Sequence, residues 1–76
     1  MINELEILAD SNHKWAAKRA TQALDFHEQF EGGGLEEFEF QDMMLRLIED
    51  GPLDSEADDL DTKALLITAI QQVANI

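Results

Sequence analysis

Glu31-Gly32-Gly33-Gly34-Leu35 is the stretch that decides how this chain folds. Three consecutive glycines reach left-handed backbone geometry without a Cβ clash and carry little helix propensity, so a helix arriving at Glu31 must end here. Upstream, Leu5, Leu8, Asn12, Trp15, Arg19, Ala23, Phe26 and Phe30 recur at three- and four-residue steps, with Ala16 and Ala20 beside the stripe. That spacing is one face of an α-helix, and Ala16, Ala17, Ala20 and Ala23 add local propensity. It predicts helix over residues 2–30. Asp10-Ser11-Asn12 interrupts the stripe with residues that favour caps and turns. Because the apolar phase survives this triplet, the preferred reading is one continuous helix of about 45 Å at 1.5 Å per residue. A short helix to Leu8 followed by a second from Ser11 is the alternative.

Beyond the glycines, residues 37–40 alternate polar and apolar, but a strand needs a partner and no second candidate occurs. The segment instead predicts a helix over 36–50, with Phe40, Met43, Met44, Leu47 and Ile48 facing inward. Glu36, Glu37 and Glu39 then occupy its first turn, where the helix dipole favours anions. Gly51-Pro52 stops it. A third helix over 55–75 can be capped by Asp54 or Ser55, with Asp58 in a capping-box position after Ser55, or can start at Asp61-Thr62. Leu65, Leu66, Ile67, Ala69, Ile70, Val73 and Ile76 form its apolar face. Thr62, Ile67, Thr68, Ile70 and Val73 are β-branched, so packing rather than propensity must hold it. The fold class is therefore all-α: a small antiparallel bundle of three helices, or four if the first is broken, over about 2–30, 36–50 and 55–75, in one acidic domain spanning 1–76.

A chain of 76 residues can hold only one small core, and chains of this size commonly lean on a disulfide, a metal or a partner. There is no cysteine, which excludes a disulfide framework and thiolate metal sites and leaves a partner chain as the available support. A hydrophobic content of 45% indicates a folded chain rather than a disordered one. No apolar run approaches a membrane span, and the first residues lack the basic and apolar regions of a secretion signal. These features predict a complete small cytoplasmic protein.

Charge is the most uneven property. Fourteen of the 17 carboxylates lie in residues 25–61 with Arg46 as the only base among them, whereas Glu4, Glu6 and Asp10 are balanced by Lys14, Lys18 and Arg19. A surface built only for solubility mixes both signs. The block predicts a carboxylate surface of Glu28, Glu31, Glu36, Glu37, Glu39, Asp42, Glu49, Asp50, Asp54, Glu56, Asp58, Asp59 and Asp61 that engages a basic protein. Helical carboxylates roughly 5–6 Å apart at Cβ are comparable to phosphate spacing, so the partner can be one that handles nucleic acid. Direct contact with nucleic acid or an anionic membrane is disfavoured by the same charge. A structural or assembly subunit, holding to itself or to a larger complex through helix 62–76 or the aromatic stripe, is the second expectation. Lys14, Lys18 and Arg19 form the one basic cluster, read either as docking onto the acidic segment or as a balanced solvated face.

Trp15, Phe26, Phe30, Phe38, Phe40, Met43 and Met44 hold most of the large apolar volume and are read as core, with adaptable Met43-Met44 also suited to a partner groove. His13 and His27 lie too far apart on one helix to share a metal, and His27 and Glu31 have the i,i+4 spacing of a surface pair. Asp54 to Asp61 superficially resembles a calcium loop, but counting from Asp54 puts Asp59 where the loop needs glycine and Leu65 where it needs glutamate. The chain carries no phosphate-loop or dinucleotide-binding glycine motif, and no nucleophile–base–acid arrangement is suggested. No catalytic residues, metal or cofactor are expected.

Glu28-x-x-Glu31 followed by Glu56-x-x-Asp59 resembles the paired acidic motifs of the all-α MazG-type nucleoside-triphosphate pyrophosphatases. Those enzymes hold magnesium between carboxylates of facing helices and hydrolyse between the α- and β-phosphates. The resemblance implies Glu28, Glu31, Glu56 and Asp59 as ligands of a magnesium-dependent pyrophosphatase, an alternative to the binding-protein reading.

Overall fold

Ser11 breaks the long first helix. Its hydroxyl donates to the Leu8 carbonyl at 2.6 Å and accepts the His13 N–H at 3.3 Å, while its own N–H makes a tight 3.1 Å bond to the same carbonyl. A serine side chain that satisfies backbone groups in this way offers the chain an alternative to the helical ladder. The expected continuous helix over 2–30 is thereby corrected to α1, Ile2–Ala9, and α2, Lys14–Glu31. The physical gain is burial: the turn folds α1 back so that Leu5 and Leu8 enter the core, which a straight rod would have left in water.

The computed structural model describes residues 2–49 and 59–76. Its two remaining helices are α3, Glu37–Ile48, and α4, Leu60–Ala74. The described residues are all-helical, as expected, and contain four helices, the alternative count. The possible caps Asp54 and Ser55 fall outside the described residues. α2 and α4 touch each other, and each packs on both α1 and α3, which do not meet one another. The four helices thus form a ring closed across its middle by α2 and α4, with extents of 37 × 21 × 15 Å.

Each helix contributes a narrow buried stripe. On α2 it is Trp15, Ala16, Ala20 and Ala23; on α3 it is Phe40, Met44 and Leu47; on α4 it is Thr62, Leu66, Ala69, Ile70 and Ala74. The three alanines of α2 are fully buried, and side chains this small let three helices approach the same axis. Larger residues close the two ends. At one end Phe30 stacks on Phe40 with centroids 4.6 Å apart and planes 7° from parallel, and His27 meets Phe40 edge-on at 6.0 Å. At the other, the Arg19 guanidinium lies 4.7 Å over the Trp15 ring with the Lys63 ammonium at 5.8 Å. These contacts make α2 antiparallel to α3 and parallel to α4. Gln41 ties α3 antiparallel to α4 by donating its amide to the Ala74 carbonyl at 3.0 Å.

The glycine run ends α2 as expected. Gly33 takes a left-handed φ of 84°, Gly33 N–H bonds the Phe30 carbonyl at 3.1 Å and Gly34 N–H bonds the Gln29 carbonyl at 2.8 Å. This is a Schellman closure, which needs the positive φ that glycine adopts freely. Asn75, φ 60°, does the same for α4. No helix among the described residues is long and apolar enough to cross a membrane.

Two stability outcomes follow. Met44 is fully buried, so Met44→Ala should lower unfolding free energy by about 2–5 kcal/mol through lost burial and the cavity left behind. Gly33→Ala should lower it by about 1 kcal/mol, because an L-residue is strained at positive φ. Urea denaturation followed by circular dichroism measures both.

Candidate partner-binding surface

The nine described members of the predicted carboxylate surface, Glu28, Glu31, Glu36, Glu37, Glu39, Asp42, Glu49, Asp59 and Asp61, are all exposed. Asp50, Asp54, Glu56 and Asp58 lie outside the described residues. Contiguous in sequence, the nine divide in space. Glu28 and Glu31 on the last turns of α2 and Glu36, Glu37 and Glu39 at the start of α3 gather round the glycine turn. Glu49 follows α3, and Asp59 and Asp61 open α4, at the opposite end. The Trp15–Lys63 contact establishes this separation, since it sets the first turn of α4 beside the first turn of α2. Asp42 sits on α3 between the two groups.

Some of these acids have local structural work. Glu39 Oε1 accepts the Glu36 N–H at 3.2 Å at the start of α3. Asp59 is the N-cap of α4, its Oδ1 accepting the Thr62 N–H at 2.7 Å. That backbone bond, supported by the Thr62 hydroxyl and the neighbouring His13, holds the Asp59 carboxyl below its ordinary value of 3.8. Asp59, rather than Asp54, Ser55 or Asp61-Thr62, is thus the residue that starts α4. The signal was present: an aspartate three residues before Thr62, ahead of an apolar run.

Few bases neutralise the surface. Arg46 pairs with Asp42 at 3.2 Å and His27 with Glu31 at 3.3 Å, the latter as expected from spacing. Both are i,i+4 pairs with exposed acids, a geometry that contributes little and is easily exchanged. Among the described residues Arg19 docks on no carboxylate. It turns inward over Trp15 and donates Nη1 to the Leu47 carbonyl at 3.4 Å, where the C-terminal end of α3 carries partial negative charge. Lys14 and Lys18 remain on the exposed face of α2. Glu28, Glu37 and Glu49 have no ion pair among the described residues.

The core reading of the large apolar residues holds for Trp15, Phe40 and Met44, while Phe26, Phe30 and Met43 are half-buried. Phe38 is a correction: it is 67% exposed. It lies two residues before Phe40, so the helical turn that buries Phe40 points Phe38 outward. Leu45 and Ile76 are also exposed, each at 43%. The three line a shallow groove of about 570 Å³ with Gln41, Met43, Asp42, Glu39 and Arg46.

Glu28 and Glu31 stand near the far end of α2 from Asp59, so the structure does not bring these three pyrophosphatase-like positions together; Glu56 lies outside the described residues. Among the described residues no group of three or more histidine and carboxylate side chains converges on a common point. Comparison with family models, curated proteins and solved structures finds no match to this chain.

The depressed Asp59 pKa has a definite pH consequence. Its contribution is complete above the ordinary carboxylate range and is lost as pH falls through the depressed value. Asp59→Ala should therefore lower the thermal midpoint at neutral pH, and its gap from the native chain should close on acidification. Thermal melts at a series of pH values check the sign.

Proposed function

We propose that this chain is a small acidic binding protein that regulates or inhibits a basic partner protein through its carboxylate-rich surface. The observation that carries the reading is the exposure of all nine described acids, of which only Glu31 and Asp42 have an ion-pair partner among the described residues, while Arg19 is turned inward onto Trp15 and the end of α3. A formal charge of −12 on 76 residues repels itself and favours any cationic surface that relieves it. Charges of this exposed kind steer association and set its rate more than they hold the final complex. A nucleic-acid-handling protein is one such partner, its phosphate-binding bases accepting carboxylates in place of phosphates.

A second reading, an assembly subunit, is favoured by a separate observation. Ile7 on α1 and Leu60 and Leu65 on α4 are 69%, 75% and 59% exposed, apolar surface that association would cover. Light scattering across a concentration series decides it: a mass that rises with concentration supports assembly, and a constant monomer mass removes it.

For the favoured reading, binding to the basic partner should weaken steeply as salt rises from about 0.1 M to about 1 M, over which the Debye length falls from about 10 Å to about 3 Å. Replacing Glu36, Glu37 and Glu39 together by glutamine should slow association and flatten that dependence, as read by surface plasmon resonance. Salt-independent binding, or capture of only neutral and acidic partners, overturns the reading.

A further inference from the structure

We infer that the outward face of α3 is a docking seam for a basic amphipathic helix of the partner. The inference rests on the binding-protein reading above and names the shape and chemistry of what binds.

α3 buries Phe40, Met44 and Leu47, with Ile48 packed partly against the same core and Gln41 bonded to α4. The same helix carries a second, mostly apolar series turned partly away from that core. Phe38, Gln41, Leu45 and Ile48 follow the 3–4–3 spacing of heptad a and d positions. Phe38 and Leu45, both at a, are exposed, and Gln41 and Ile48, at d, are half-buried. Large apolar side chains at two successive a positions are unusual on a face whose own bundle does not cover them. Ile76, at the end of α4, extends the apolar floor beside Phe38 and Gln41. Gln41 is itself anchored to the Ala74 carbonyl, which holds that end of the groove in place.

Charge selects the occupant. In the same register Glu37 falls at g and Asp42 at e, so carboxylates flank the first half of the seam, while the next g position, Met44, is buried in the bundle and Glu49 follows the last turn. Flanking e and g charges choose a coiled-coil partner by sign. A second copy of α3 would place the same carboxylates against each other, which opposes self-pairing. A helix with apolar a and d residues and Lys or Arg beside them satisfies both the seam and its rim. Arg46, paired with Asp42 across an exposed 3.2 Å contact, is a local competitor and is readily exchanged for a partner's base.

The test uses the intact chain and two synthetic peptides of equal lysine content, each two to three heptads long. One has leucine at a and d with lysine at e and g, and the other replaces every leucine with glutamine. At low salt the leucine peptide should bind at least roughly tenfold more tightly than the glutamine peptide, the scale of a buried apolar anchor. Leu45→Gln should abolish that ratio and leave the weaker, charge-driven binding of the glutamine peptide unchanged. Both Leu45 and Phe38 are exposed, so their replacement spares the core. Amide shift changes in the unaltered chain should map to α3 and the end of α4. Equal binding of the two peptides, or shift changes centred elsewhere, overturns the seam while leaving the acidic-surface reading intact. Failure of both peptides to bind at low salt overturns both. A dimer that Leu45→Lys dissociates assigns the face to a second copy and overturns the basic-helix assignment.

Discussion

The close approach permitted by Ala16, Ala20 and Ala23 is the constraint on which the rest of this structure depends. In 76 residues there is little apolar volume to spend, and a bundle with a wide interior would be hollow. Three fully buried alanines at i, i+4 and i+7 let α2 serve as a slender axis that touches all three other helices. The bulk then comes from the neighbours: Leu5 from α1, Phe40 and Met44 from α3, Leu66 and Ile70 from α4. Close packing of this kind tolerates little change of volume in either direction. It also explains why α1 must fold back, since the face of α2 opposite α3 needs a cover.

The same economy shapes the charges. Arg19 lies within the stretch that balances acids and bases, yet its guanidinium is stacked on Trp15 and directed at the last turn of α3. An arginine used this way ties α2 to α3 through its Nη1 bond to the Leu47 carbonyl while its planar face covers Trp15. The acidic middle of the chain keeps Arg46 as its single internal base. The carboxylates that remain are of two kinds. Asp59 and Glu39 close helix starts, whereas Glu28, Glu37 and Glu49 are exposed and make no ion pair among the described residues.

How far the chain could be read in advance varied with the range of the interaction involved. The glycine stop, the acidic first turn of α3 and the His27–Glu31 pair depend on residues within one or two turns, and spacing was enough to find them. Ser11 acts by competition: its local hydroxyl bonds oppose an apolar phase that continues undisturbed through the triplet. Burial of Leu5 and Leu8 tipped it, and that energy belongs to contacts with distant helices. Phe38 was misjudged for a related reason. Composition marks a phenylalanine as core material, but α3 has two apolar stripes and the bundle has room for only one.

By itself the sequence determined that the described chain is helical, where α2 ends, and that its middle carries almost unrelieved negative charge. These follow from propensity, glycine geometry and counting, which need no knowledge of neighbours. Tertiary structure alone decided that the acidic block divides between opposite ends of a bundle 37 Å long, that Arg19 faces inward, and that Phe38 and Leu45 face out. Each of these turns on which helices meet and at which angle, and no local property of the chain carries that information.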